Sequence, residues 1–92
     1  MLYALHMIDK PGVLEKRKAA LPAHQDYLRK SPIEVVMSGP LLTDDGETMI
    51  GSLFLVEAAG RAEAEAFSRG DPFSREGVFD RVDIKPFWRR HG

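Results

Sequence analysis

Met49-Ile50-Gly51-Ser52-Leu53-Phe54-Leu55-Val56-Glu57 is the stretch on which the fold turns. Its residues favour an extended chain, and side chains on a strand alternate between two faces. A strand with one wet face reads apolar, polar, apolar. Leu53-Phe54-Leu55-Val56 does not alternate, and neither does Leu2-Tyr3-Ala4-Leu5 in the N-terminal strand at 2–9. Both faces of the sheet are therefore apolar, and both need a cover.

Working outward, Thr43-Asp44-Asp45-Gly46 is a hairpin turn signal, and Ile33 to Met37 before it is a strand that closes at Ser38-Gly39-Pro40. Further upstream, Leu14, Leu21 and Leu28 with Ala20 and His24 fall at helical spacing over 13–30. Pro22 lies inside that helix, where it removes an amide donor and predicts a kink or a restart. Ser31-Pro32 stops it. Downstream, 60–69 reads as a helix with Ala62, Ala66 and Phe67 on its apolar stripe, and Gly70 caps it in a left-handed conformation. One extra helical turn follows at 73–77. The last strand, 79–87, alternates Val82 and Ile84 against Arg81, Asp83 and Lys85.

The order is βαββαβ. This is an α+β, ferredoxin-like chain of one domain, 1–92, with a four-stranded antiparallel sheet and both helices on one face. The simplest cover for the second face is the same sheet of another copy, in a two-fold homodimer. The competing reading is a monomer with scattered exposed apolar residues. A domain of this size buries only about two-thirds of its unfolded surface, which favours a partner.

Thirteen basic residues against fourteen acidic ones leave a net charge of −1. That argues against a nucleic-acid binder or a membrane-surface protein. There is no cysteine, so thiolate chemistry and disulfides are excluded. The N-terminus lacks the pattern of a signal peptide, and a cytoplasmic location is expected. His6, His24 and His91 show no two-histidine helical spacing, so no metal site is expected. No glycine-rich phosphate loop opens a helix, and no cofactor is expected.

The chemistry that remains is His24 with Asp71. His24 shares the face of Leu14, Leu21 and Leu28, so it points inward and needs a partner for its ring nitrogens. Asp71 follows the second helix directly, at the turn Gly70-Asp71-Pro72-Phe73. Both helices are read as running the same way, with their C-terminal ends at one edge of the sheet, which lets the two residues meet. An imidazole oriented by a carboxylate is a general acid–base unit. The plainer reading is a satisfied core histidine and a turn-capping aspartate.

Three further residues are candidates for substrate contact. Ser38 offers a hydroxyl to a pocket, or its Ser-Gly-Pro sequence merely ends a strand. Arg17, two turns before His24, holds a substrate carboxylate, or makes an exposed ion pair with a nearby glutamate. Phe73, with Tyr27 and Trp88, forms an aromatic pocket wall, or packs in the core or a dimer contact.

The chain resembles the YciI-like (YCII-related) family. The resemblance lies in the N-terminal strand, in Arg17, Leu21, His24, Tyr27 and Leu28, and in Ser38-Gly39-Pro40 and Gly51-Ser52. It continues through Asp71-Pro72-Phe73 and Gly77 to Ile84-Lys85-Pro86-Phe87. It implies a dimeric α/β barrel of the kind shared with muconolactone-isomerase-like proteins, and an active site at His24 and Asp71. The family includes a chlorohydroxyhydroquinone dehydrochlorinase, so the resemblance implies cofactor-free elimination or isomerisation of a small cyclic molecule. Two other functions are carried beside it: a non-catalytic ligand-binding or regulatory dimer, and a cofactor-free oxygenase.

Overall fold

A computed structural model describes residues 1–92. Its elements are β1 (Leu2–Asp9), α1 (Leu14–Arg29), β2 (Glu34–Leu42), β3 (Met49–Glu57), α2 (Arg61–Gly70), α3 (Pro72–Arg75) and β4 (Phe79–Phe87). The sheet order is β2-β3-β1-β4, and every neighbouring pair is antiparallel. This is the expected ferredoxin-like α+β fold.

Register sorts the two faces. Leu5 stands opposite Phe54 on one side and Ile84 on the other, so all three share the helix-bearing face. Tyr3, Leu5, Met7, Phe54, Val56 and Ile84 meet Ala64 and Phe67 of α2 in the main core. Leu5 and Phe54 are 0% and 1% exposed, and burial at that level contributes roughly 1.5–3 kcal/mol per side chain. A smaller cluster of Ala20, Phe73 and Val78 joins α1 to α3 and the start of β4. On the opposite face Leu53, Met37 and Phe87 are 40%, 56% and 44% exposed. Leu55 on that face is covered, and Arg89 and His91 of the C-terminal segment lie beside it.

Several local expectations change. The buried stripe of α1 is Arg17, Ala20 and His24, with the three leucines only partly covered. α1 runs without interruption through Pro22, which sits on the exposed side. The Lys18 carbonyl that loses its amide donor therefore faces water. β2 does not close at Ser38-Gly39-Pro40 but continues to Leu42. It is an outer strand, and proline is tolerated where its missing N–H would have pointed away from the neighbour. In α2 the buried residues are Ala64, Phe67 and Ser68, while Ala62 and Ala66 are exposed.

Gly70 is not left-handed; it is the last residue of α2. Glycine is needed there for room, because a Cβ would stand 2.5 Å from the Tyr27 hydroxyl.

The helices do not run the same way either. β1 and β2 both oppose β3, so they are parallel, and α1 returns between them. By the same reasoning α2 returns between β3 and β4, in the opposite direction. Contacts agree: Tyr27 reaches Phe67, while His24, earlier on α1, reaches Asp71, later in the chain. The two meet because α2 has only ten residues and ends beside the middle of α1. α3 then packs along α1 toward its N-terminus.

Candidate active site

The corner between α2 and α3 is built by Asp71. Its backbone is extended, with φ −63° and ψ 129°, and its N–H donates to the Ser68 carbonyl at 3.3 Å. Its side chain caps α3: Oδ1 accepts the Phe73 N–H at 2.9 Å, and Pro72 supplies the preset φ of a first helical residue. The same Oδ1 lies 2.8 Å from His24 Nδ1. Asp71 is 0% exposed and the His24 side chain 9%. A carboxylate in that position makes Nδ1 the protonated nitrogen, so Nε2 carries the free lone pair. Asp71 Oδ2 is buried without a hydrogen-bond partner.

Aromatic rings fix the imidazole in place. Phe73 stacks on it with centroids 4.0 Å apart and planes at 14°, and Phe54 meets it edge-on at 5.8 Å. The Arg17 guanidinium lies over the same Phe73 ring at 4.4 Å. Arg17 and His24 are two turns apart on α1, a rise of about 10 Å, and Phe73 fills the gap between them. Tyr27 stands one turn beyond His24 and donates to the Phe67 carbonyl at 2.8 Å. Burial first, and then the negative charge of Asp71, push the Tyr27 phenol above its ordinary value. It stays a neutral O–H donor.

Arg17 is not the exposed residue expected. It is 2% exposed, and its partner is Asp9, not a glutamate. Nε donates to Asp9 Oδ2 at 2.8 Å, and Nη2 donates to the Gly51 carbonyl and to Ser52 Oγ. Asp9, Ser52 and the Gly51 carbonyl were missed as its partners. The available signal was parity: Asp9 lies on the same strand face as Leu5 and Met7, and so points inward.

Of the substrate-contact candidates, Phe73 is 1% exposed and touches the imidazole rather than open space. Ser38 is exposed in the middle of β2, opposite Phe54 and on the helix-bearing face. It makes no hydrogen bond to the His24–Asp71 pair. Trp88 is 76% exposed, stacked under Arg90, and lies in neither the core nor the site. No helix is long and apolar enough to cross a membrane.

Comparison with known proteins adds four findings. A family model described as the YCII-related domain matches residues 1–88. The chain is 32% identical over 94 residues to Protein YciI of Escherichia coli O6:H1 (strain CFT073), covering 95% of this chain and 96% of that one. Among solved structures it is similar to the 5-chloro-2-hydroxyhydroquinone dehydrochlorinase of Burkholderia phenoliruptrix AC1100 in complex with 2,5-dihydroxybenzoquinone. That similarity has a TM-score of 0.83 and 32% identity, and covers 100% of this chain and 96% of the other. A NIPSNAP domain protein from Burkholderia xenovorans, at TM-score 0.51 and 10% identity, shares the fold alone.

Proposed function

The chain belongs to the YCII-related domain family, and from that premise we propose that it is a small-molecule enzyme using His24 and Asp71 for cofactor-free proton transfer. The observation that carries the proposal is the buried 2.8 Å contact between His24 Nδ1 and Asp71 Oδ1. The carboxylate holds one tautomer and stabilises the imidazolium that forms when Nε2 accepts a proton. The substrate class is a small cyclic enol or hydroquinone, in keeping with what the dehydrochlorinase relative acts on.

In the elimination, His24 Nε2 takes a proton from the ring of the keto tautomer or from its hydroxyl. The released electron pair forms a new double bond, and a leaving group such as chloride departs with its bonding pair. In an isomerisation the imidazolium returns the proton at another carbon. Phe73 and Arg17 hold the imidazole's plane, and Ser38 supplies a hydroxyl from the neighbouring strand. The functional unit is a homodimer, joined through the sheet face that leaves Leu53, Met37 and Phe87 exposed.

The test is chloride release from chlorinated hydroxyhydroquinones by the native protein, Asp71→Asn and His24→Gln, each checked for native circular dichroism. Both variants should lose roughly 10²–10⁴-fold in rate, the range of general acid–base catalysis. Release by Asp71→Asn at the native rate would overturn the assignment. The competing reading, a ligand-binding protein without turnover, is favoured by the 9% exposure of the imidazole. It predicts saturable binding of the same compounds with no chloride released by any variant.

A further inference from the structure

A cleft lies on the helix-bearing side of the sheet, between α2, α3 and the outer strand β4, with a volume of about 380 Å³. It is lined by none of the residues of the His24–Asp71 pair. Its floor is apolar: Ile84 is buried, but Val82 is 41% exposed although it lies on the helix-bearing face. Its wall is polar. Arg61 and Arg69 stand two turns apart on α2, and Ser68 and Ser74 line the cleft beside them.

Three observations point to a ligand. Ser68 is 5% exposed, yet its hydroxyl makes no hydrogen bond within the protein, and the surface it keeps opens on the cleft. Its oxygen still reaches the surface of the cleft, where it is open to a ligand. Arg69 makes no ion pair or hydrogen bond. The one acid in the wall, Glu65, leans to Arg61 at 3.8 Å, while Arg61 Nη1 is held by the Ile84 carbonyl at 2.7 Å. The cleft thus presents one free guanidinium and an unpartnered hydroxyl above an uncovered apolar floor. A pocket of a few hundred cubic ångströms with few polar groups on an apolar wall is the usual form of a small-molecule site.

We propose that this cleft binds a small ring-bearing carboxylate, separately from the His24–Asp71 pair. The carboxylate lies on Arg69 and accepts from Ser68 and Ser74, and the ring covers Val82 and Ile84. A planar guanidinium suits a carboxylate because two parallel N–H donors meet its two oxygens.

The test is a titration of the native protein with benzoate, followed through its backbone amide resonances, with benzyl alcohol and inorganic sulfate as comparison probes. Benzoate should give saturable shifts at Ser68, Arg69, Ser74 and Val82. Arg69→Gln, an exposed and structurally mild change, should weaken it about tenfold, and Ser68→Ala by a few-fold. Benzyl alcohol and sulfate should each bind more weakly than benzoate, since each lacks one half of the match. Equal affinity of Arg69→Gln and native protein would overturn the proposal. So would equal binding of either comparison probe, or shifts centred on His24 and not on α2. Loss of turnover at His24 or Asp71 bears on none of these readings, so the two proposals fail separately.

Discussion

Arg17→Met should be among the most damaging single changes in the protein. Methionine keeps the length of the stem and removes the charge. It leaves Asp9, whose side chain is 7% exposed, without its cation, and leaves the Gly51 carbonyl and Ser52 without their donor. Breaking one side of a buried pair costs about 3–5 kcal/mol, mostly from the charge left behind. A domain of this size has a total stability of about 5–14 kcal/mol, so the variant approaches the threshold of unfolding. In urea, with a slope of about 1–3 kcal/mol per molar, the midpoint should fall by at least about 1 M with the slope unchanged. The double variant Arg17→Met, Asp9→Leu removes the stranded charge and should recover roughly 2 kcal/mol of the loss. A cost below about 1 kcal/mol for Arg17→Met, or strictly additive effects, would refute the view that this pair is a desolvated, mutually dependent unit.

Gly70→Ala should destabilise by about 1–3 kcal/mol, because its Cβ meets the Tyr27 hydroxyl. Tyr27→Phe in the same chain should restore part of that loss, measured by thermal unfolding. Phe73→Leu keeps an apolar filler but loses the ring that faces His24 and Arg17. It should cost about 1–2 kcal/mol, and the ring-current shift on the His24 carbon-bound protons should collapse. Asp26 is held below its ordinary value of 3.8, first by its hydrogen bonds to Lys30 and Arg29 and then by their charges. Its small contribution is therefore present above 3.8 and is lost as pH falls through the lowered folded value. The difference in melting temperature between native protein and Asp26→Asn should close over that acid window, and should shrink in salt at neutral pH.

The strands and the order of elements were legible because their signal is local: two-fold alternation in 79–87, an apolar run in 49–57, and turn residues between them. The inward histidine announces its need for a partner, but parallel helices do not bring it to Asp71; the shortness of an antiparallel α2 does. What the residues concealed depended on tertiary context. Arg17 looks like a surface residue in Lys16-Arg17-Lys18, and only the inward-pointing Asp9 makes its burial tolerable. Ser38-Gly39-Pro40 looks like a strand end, and continues as strand because β2 has one neighbour. Gly70 looks like a cap, and is shaped instead by a tyrosine 43 positions earlier.

The prolines in the two outermost strands, Pro40 in β2 and Pro86 in β4, limit how copies of this chain can join. A sheet that ends in a bare row of amides and carbonyls invites another chain to add itself alongside, and repeated addition is the route to fibres. Each proline removes a donor from such a row, at both margins of the sheet. Growth sideways into a continuous ribbon is therefore discouraged at either end. The homodimer proposed above would join instead through the broad apolar face of the sheet.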